Sequence, residues 1–146
     1  MTEPHRECTL CPRLSDFRRD SKADNPDWFN GAVPAFGSVD AKLLIVGLAP
    51  GLTGANRTGR PFTGDWAGDL LYQTLESFGF SEGDYGKRAD DGLSLKDARI
   101  TNAVRCVPPQ NKPTAMEINT CRRFLIDELD SLKALEVILC LGRISH

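Results

Sequence analysis

The amino-acid sequence predicts an α/β fold, a three-layer sandwich in which helices cover both faces of a mainly parallel sheet. Three short aliphatic segments, Leu43 to Leu48, Arg99 to Val104 and Glu136 to Leu141, are typical of buried strands. Segments with helical spacing lie between them. Strands that alternate with helices favour a parallel sheet, because each crossover helix returns the chain to the same end of the sheet.

The first helix is predicted over residues 12–24, where the apolar spacing is weak. A stronger helix begins after Asp65, a suitable N-cap residue, and its apolar residues recur at helical spacing as far as Phe78. Gly79 then ends the pattern. Residues 81–97 are polar and glycine-rich, and we expect a loop there.

The third helix follows a proline-rich loop. Three prolines between residues 106 and 113 exclude regular strand pairing, since proline has no amide donor. Thr114 then caps a helix, and Glu117 occupies the capping-box position three residues later. The helical spacing continues to Leu132.

Length and composition indicate one domain over residues 1–146. The chain is 40% hydrophobic and 26% charged, as is usual for soluble globular proteins. No apolar run approaches the roughly 20 residues that span a membrane, and residues 1–8 lack the apolar core of a secretory signal. We therefore expect a cytoplasmic protein with no membrane partner. A net charge of −2 gives no global argument for nucleic-acid binding.

The last residues of the sequence predict an incomplete fold. Residues 142–146 begin what should be another crossover after only three strands. A parallel sheet of that size leaves an edge uncovered. We expect a chain that is incomplete at its C-terminus, and a short natural tail is the alternative.

A glycine-rich loop over residues 47–65 is the strongest functional feature. It follows the first strand, and ligands of open α/β sheets bind at the carboxyl ends of strands. Five glycines and two prolines allow tight turns and close approach of the backbone to a ligand. Arg57 and Arg60 offer phosphate contacts, and Phe62 offers a flat stacking surface. The loop therefore predicts a binding site.

The five cysteines predict a metal site. In a cytoplasmic chain, cysteines are more often metal ligands or buried thiols than disulfides. Cys140 lies within an aliphatic strand and is predicted to be an inert core residue. The pair Cys8 and Cys11, with Cys106 and Cys121, makes a site of four thiolates. Unrelated free thiols are the alternative.

Three blocks of sequence carry a family resemblance. The first is GLAPG at 47–51 with RTGRPFTGD at 57–65, and the second is ITNAVRCVPP at 100–109 with NKP at 111–113. The third is the set of four cysteines. Together they resemble the uracil-DNA glycosylase superfamily, most closely its iron–sulfur branch, known as family 5 or type b. The resemblance extends over residues 8–146.

The resemblance implies a [4Fe–4S] cluster on Cys8, Cys11, Cys106 and Cys121, with a structural role. Four thiolates suit a structural zinc ion equally well, so zinc is the alternative. The partner that the resemblance implies is DNA containing uracil or another deaminated base, such as hypoxanthine or xanthine. We expect a monomeric enzyme that associates with the nucleoid when it is bound to DNA.

The resemblance also implies a role for each residue of the site. A glycosylase takes the damaged base out of the duplex before it breaks the N-glycosidic bond. Phe62 is expected to stack on that base, and the Asn102 amide to hydrogen-bond its edge. Their alternatives are a core aromatic residue and a turn-capping asparagine. The substrate pocket is expected to include Gly47, Leu48 and Gly51.

The catalytic groups are harder to assign. Backbone amides around Ala49, Gly51 and Gly54 are expected to receive the negative charge that develops on the leaving base. Asn56 is expected to orient the attacking water. Leu48 and Ala49 occupy the place of a polar group in other branches, so no general base is evident.

The contact with DNA is expected to involve the two arginines of the loop. Arg57 and Arg60 would bind phosphates and so fix the register of the protein on DNA without reading its sequence. Solvated loop charges are the alternative.

One family motif is absent from the sequence. The family carries a second catalytic motif built around His-Pro-Ser, and neither His5 nor His146 matches it. This absence agrees with an incomplete chain, and an inactive or DNA-binding-only core with a cysteine-bound metal is the main alternative function. A phosphate-binding α/β protein is a further alternative, but the loop lacks the Gly-Lys-Ser/Thr ending of a P-loop.

Overall fold

A computed structural model describes residues 1–145 of the chain. The helices are α1 (Pro12–Asp24), α2 (Ala55–Thr58), α3 (Trp66–Ser77) and α4 (Ala115–Ser131), with a 3₁₀ turn at Pro109–Asn111. The strands are β1 (Phe36–Gly37), β2 (Leu43–Gly47), β3 (Ser81–Glu82), β4 (Ser94–Leu95), β5 (Ala98–Asn102) and β6 (Val137–Cys140). His146, one of the two histidines that do not match the His-Pro-Ser motif, lies outside the described residues.

The main sheet has four strands in the order β1-β5-β2-β6. Strand β2 is parallel to both of its neighbours, while β1 joins the edge of β5 in the antiparallel direction. In the register of β2 and β5, Gly47 lies opposite Asn102. The carboxyl ends of the two central strands therefore meet at one edge of the sheet, where the glycine-rich loop begins.

Helices cover both faces of the sheet, as the alternation of side chains along β2 requires. Leu44 and Val46 pack on one face, in a cluster that includes Leu132 at the end of α4. Ile45 points to the other face, where it packs with Tyr72 and other residues of α3. These three layers confirm the predicted α/β class, with a mainly parallel sheet.

The predicted helices are confirmed with small differences at their ends. The Asp65 side chain accepts a hydrogen bond from the Gly68 amide at 2.8 Å, so it caps α3 as expected. At the start of α4, the Thr114 hydroxyl accepts from the Glu117 amide, and the Glu117 carboxylate accepts from the Thr114 amide. This capping box is the one that the sequence predicted.

Three features of the sheets differ from the prediction. Strand β1 was not predicted, because two residues are too few to show a periodicity. The excursion over 81–97 contains a small antiparallel pair of strands rather than only a loop. Strand β6 is half exposed rather than buried, and Cys140 within it is only partly buried. The reason is position, since β6 is an edge strand.

Among residues 1–145, the longest helices are too short or too polar to cross a membrane.

Candidate functional site

Two adjoining clefts lie at the carboxyl ends of β2 and β5, and we refer to them together as the loop pocket. The larger cleft has a volume of about 650 Å³. Both clefts share four residues, which are Ala49, Gly51, Phe62 and Asp65. Asn102 lines the smaller cleft, and Leu48 lines the larger one. The glycine-rich loop therefore forms a pocket, as its composition predicted.

Gly47 allows the two most important side chains of the loop pocket to meet. A Cβ atom at position 47 would lie 2.5 Å from Oδ1 of Asn102 and 2.5 Å from Cζ of Phe62. Any side chain at this position would therefore displace both groups. The aromatic ring and the amide therefore lie close together at the end of β2, where a planar ligand can contact both.

The Asn102 amide is placed to bind a ligand. The residue is 3% exposed, and its Oδ1 atom is buried without a hydrogen-bond partner among the described residues. A buried acceptor without a partner costs about 1–3 kcal/mol, so it calls for a partner from outside the chain, such as a ligand or water. Oδ1 of Asn56 also has no partner among the described residues, but Asn56 lines neither cleft. Asn102 also lines the smaller cleft, where a ligand N–H group can satisfy this oxygen.

The backbone holds Phe62 in a conformation that few side chains adopt. Its φ angle is +54°, in the left-handed region, which is uncommon for residues other than glycine. The preceding carbonyl of Pro61 accepts a hydrogen bond of 2.6 Å from the buried Tyr72 hydroxyl. On the other side, Gly68 makes the approach of α3 possible, since a Cβ atom there would clash with the Phe62 carbonyl. The backbone at Phe62 is thus held from two directions.

Asp65 is a site residue that the sequence reasoning missed, because it was interpreted only as a helix cap. One carboxylate oxygen, Oδ1, does accept the capping hydrogen bond from Gly68. The other, Oδ2, faces the loop pocket beside Gly51 and Gly54, and a Cβ atom at Gly54 would lie 2.5 Å from it. Among the described residues, Oδ2 accepts no hydrogen bond. The signal in the sequence was an acidic residue three positions after Phe62, in a loop where Gly51 and Gly54 leave space for its carboxylate.

The backbone amides of the loop divide into two groups. The Gly54 amide donates to the Gly51 carbonyl at 3.3 Å, which completes a turn and removes this amide from the expected anion site. By contrast, the Ala49 and Gly51 amides donate to no group among residues 1–145, although both residues line the loop pocket. These two amides are the donors that remain for a developing anion.

Asn56 lies away from the loop pocket, contrary to the expectation that it orients water. It is fully buried, and its amide nitrogen donates to the Ser21 hydroxyl at 3.3 Å and to Oδ1 of Asn30 at 3.2 Å. These bonds connect the loop to α1. Sequence reasoning could not distinguish the two roles, because Ser21 and Asn30 are distant in sequence.

Arg60 does not lie at the surface, where a phosphate contact was expected. It is 4% exposed and forms two hydrogen bonds of 2.8 Å with the Asp91 carboxylate. The guanidinium also lies over the Tyr72 ring at 5.3 Å, in cation–π geometry. The hydrogen bonds from Arg60 hold the pKa of Asp91 well below its usual range. Arg60 therefore stabilises the loop through buried contacts within the protein.

Arg57 combines a structural bond with access to the surface. Its Nε atom donates to the Thr53 carbonyl at 2.7 Å, and the residue is only partly buried. It lines an open groove together with Trp28, Lys87 and Arg88. Of the two arginines, Arg57 is the one that the structure leaves near solvent.

The four predicted cysteines line one cavity, which we call the cysteine cavity. Cys8 and Cys11 come from the N-terminal segment, Cys106 from the loop after β5, and Cys121 from α4. Burial raises the pKa of the Cys106 thiol to about 12, and it also raises the pKa of Cys121. Three distant segments thus bring four thiols together, as metal ligation requires.

The four thiols of the cysteine cavity can be compared with the ligands of a zinc ion and of a [4Fe–4S] cluster. Among residues 1–145, no three His, Cys, Asp or Glu side chains converge closely enough to hold a single metal ion. A zinc ion needs all four thiolates within about 2.3 Å of one point. A [4Fe–4S] cluster places one thiolate on each of its irons, so the sulfurs lie farther apart. Four cysteine thiols around one cavity are the donor set that a cysteine-bound metal centre requires.

A buried charge network lies between the loop pocket and the cysteine cavity. Glu128, on α4, is 0% exposed and accepts hydrogen bonds from Arg99 at 2.6 Å and from Arg105 at 2.7 Å. The Nε atom of Arg105 donates to the Asn102 carbonyl at 3.1 Å. Arg105 also lines the cysteine cavity, and its backbone and charge lower the pKa of the Cys121 thiol against the effect of burial. Arg105 therefore contacts both regions.

Comparison with known proteins identifies relatives of the chain. Residues 34–146 match the model of the uracil DNA glycosylase superfamily. A type-5 uracil-DNA glycosylase of Thermus thermophilus is 44% identical over 144 residues, which cover 94% of this chain and 65% of the relative. A type-5 enzyme of Pyrobaculum aerophilum is 37% identical, covering 94% of this chain and 62% of the relative.

More distant relatives carry a different type number. A type-4 uracil-DNA glycosylase of Archaeoglobus fulgidus is 37% identical over 112 residues, which cover 76% of this chain and 48% of the relative. The chain spans about half to two-thirds of the length of the curated relatives it matches.

Proposed function

This chain belongs to the uracil DNA glycosylase superfamily, and we propose that it releases uracil from DNA by hydrolysing the N-glycosidic bond. The observation that carries the proposal is the buried Oδ1 atom of Asn102, which has no hydrogen-bond partner among residues 1–145 and lies beside the Phe62 ring. Uracil presents an N3–H donor to this oxygen and a planar face to the ring. Hypoxanthine and xanthine are further deaminated bases of suitable shape.

The reaction needs stabilisation of two opposite charges. The bond between N1 of uracil and C1′ of the sugar breaks, so that the base leaves with the electron pair and the sugar becomes an oxocarbenium ion. The free amides of Ala49 and Gly51 donate to the anionic base. Water then adds to C1′, and its proton is removed, which leaves an abasic site and, after protonation of the base, free uracil.

We assign the removal of the proton from water to Asp65. Its Oδ2 atom faces the loop pocket, and an ionised carboxylate also stabilises a nearby oxocarbenium ion by its charge. Gly54 leaves the space that Oδ2 occupies. This role replaces the one expected of Asn56, whose side chain is bonded to α1.

The substrate is DNA with the target nucleotide turned out of the stack. Extrusion costs a few kcal/mol, which stacking on Phe62 and hydrogen bonding to Asn102 offset. Arg57 contacts a backbone phosphate at the surface. The sequence-based expectations of a monomer in the cytoplasm, associated with the nucleoid when on DNA, stay predictions.

We further propose that Cys8, Cys11, Cys106 and Cys121 hold a [4Fe–4S] cluster, with structural zinc as the alternative. The cluster supplies a cross-link among three segments and takes no part in breaking the glycosidic bond. The four thiols line one cavity, and one thiolate for each of four irons is the donor set that such a cluster needs, which supports the proposal. Burial raises the pKa of the Cys106 thiol, so this thiol must lose a proton when a metal binds.

The test is an excision assay with anaerobically purified protein. Duplex DNA with one uracil is incubated with the chain and treated with alkali, which cleaves at abasic sites. We expect Asn102→Ala to lower the rate by about 10²–10³-fold and Asp65→Asn by about 10²–10⁴-fold. Asparagine is as good an N-cap as aspartate, so the second variant keeps α3 intact.

The outcomes separate the proposed enzyme from a core that only binds DNA. Cleavage at uracil that both substitutions reduce, with unchanged metal content and circular dichroism, supports the glycosylase. Binding of the DNA without any cleavage contradicts it and identifies a binding module.

A further inference from the structure

Trp66 is a large aromatic residue exposed at the rim of the loop pocket. It is the first residue of α3 and lies between Asp65 and Ala67, both of which line the pocket. Its side chain is 78% exposed. Leu70, one helical turn later on the same face, is 54% exposed. A short apolar ridge therefore runs from the rim of the pocket along the outer face of α3.

Exposure alone does not indicate a function, because single apolar residues are common on protein surfaces. The same helix provides the comparison. Phe78, at the C-terminal end of α3, is 75% exposed, but neither of its chain neighbours lines the loop pocket. The ends of a 12-residue helix are about 18 Å apart. Of these two exposed aromatic residues, Trp66 is the one that lies next to the loop pocket.

We propose that Trp66 stacks on the nucleobase adjacent to the extruded nucleotide. The inference rests on the proposed function, because it takes the loop pocket to hold the extruded base. When that base leaves the stack, the face of its neighbour becomes open to solvent. An indole ring offers a flat apolar surface to such a face and needs no particular base, since every base has a π-face.

A nucleobase is the occupant that the position favours. Asp65 and Ala67, the chain neighbours of Trp66, line the loop pocket, so Trp66 lies next to the place where the DNA strand turns into it. A strand that delivers one nucleotide to Phe62 carries its next base past the rim. Trp66 thus extends the stacking surface of Phe62 beyond the pocket and is a binding residue for the strand.

Tryptophan fluorescence gives a direct test. The chain has two tryptophans, so Trp28→Phe leaves Trp66 as the single reporter. This variant is titrated with a uracil-free oligothymidylate and with a strand of the same length made of abasic tetrahydrofuran units. We expect the strand with bases to quench the fluorescence and the base-free strand to leave it nearly unchanged. Equal quenching by both strands, or quenching by neither, would overturn the proposal.

Affinity gives the second test, with Phe78→Ala as a matched control at the other end of α3. Stacking of one base on an aromatic side chain corresponds to roughly a five- to 150-fold change in affinity. We expect Trp66→Ala to weaken binding to the single-stranded oligothymidylate by roughly tenfold, Trp66→Phe by less, and Phe78→Ala by less than about twofold. Equal affinities for Trp66→Ala and Phe78→Ala would contradict the assignment.

The two tests distinguish this proposal from the proposed function. Quenching by DNA without excision of uracil retains Trp66 as a DNA contact and refutes the glycosylase. Excision of uracil without quenching retains the glycosylase and refutes the role of Trp66. Self-association of the chain that Trp66→Ala abolishes would identify a protein contact and would also overturn the proposal.

Discussion

The loop pocket and the cysteine cavity are built in opposite ways, although both flank the same end of β5. The loop pocket comes mainly from one continuous segment, residues 47–65, closed by Asn102 from the neighbouring strand. The cysteine cavity comes from three segments that are distant in sequence. A local loop holds its shape by turns and short hydrogen bonds. A cavity assembled from distant segments needs cross-links to hold them together.

Each region also rests on its own buried ion pair. Under the loop pocket, Arg60 pairs with Asp91. Beside the cysteine cavity, Glu128 pairs with Arg99 and Arg105. The predicted cluster adds a covalent restraint only to the second region. Substitutions in the two regions should therefore separate metal content from pocket geometry, whereas a change that disturbs Arg105, which contacts both regions, should affect both.

The largest effect is expected from loss of a cysteine ligand. Structural metal centres contribute on the order of 10 kcal/mol at pH 7. We expect Cys106→Ser to lose the metal and most of the thermal stability, as measured by metal analysis and calorimetry. Cys140→Ser is the matched control, because Cys140 is a free thiol outside the cavity. Full metal content in Cys106→Ser protein would contradict the ligand assignment.

A smaller but still large effect is expected from Glu128→Ala. Removing one partner of a buried ion pair costs about 3–5 kcal/mol. Since Arg105 donates to the Asn102 carbonyl and lines the cysteine cavity, this change should lower both excision and metal retention. The comparison is Glu136→Ala, which removes an exposed pair with Lys42 at 3.8 Å. Equal free energies of unfolding in urea for the two variants would refute the importance of the network.

The Arg60–Asp91 pair predicts a pH-dependent effect of roughly 3 kcal/mol. Arg60 lowers the pKa of Asp91 in the folded state. The pair therefore contributes its full share of the free energy of unfolding above the unfolded-state pKa of about 3.9, and this contribution is lost as the pH falls below that value. We expect Asp91→Asn to be less stable than the native chain at pH 7, with a difference that narrows below about pH 4. The exposed neighbour Asp90 provides the control, Asp90→Asn, for which no such narrowing is expected.

The smallest effect is expected from Arg57→Gln. Loss of one phosphate contact weakens DNA binding uniformly across sequences and reduces the salt dependence of log K by about 1. Arg60→Gln offers the contrast, because Arg60 is buried and should change stability without changing the salt slope. The measurement is DNA affinity as a function of salt concentration. The same change in slope for both variants would show that Arg60 also reaches the DNA.

The sequence predicted those features that depend on local chemistry. The caps at Asp65 and Thr114 need only one side chain and an amide three residues later, so they were predicted correctly. The position of the loop pocket followed from glycines placed directly after a strand. The grouping of the four cysteines in one cavity was also predicted, from their spacing and from the family resemblance.

Other features depended on distant partners. The burial of Arg60 requires Asp91, and the burial of Asn56 requires Ser21 and Asn30, and none of these pairings has a local signal. For Asp65 the local signal was correct but incomplete. Its Oδ1 atom caps α3 as predicted, while its Oδ2 atom faces the loop pocket, which the capping pattern does not indicate. Strand β6 matched the pattern of a buried strand, but its place at the sheet edge leaves it half exposed.

The sequence by itself determined the α/β class, the helix caps, the loop that forms the pocket and the set of cysteines, because each depends on residues close together in the chain. Only the tertiary structure decided which polar groups are bonded within the protein and which are left for a ligand. A buried arginine or asparagine has the same sequence signature as an exposed one. The difference is the presence of a hydrogen-bond partner, and folding alone brings that partner within about 3 Å.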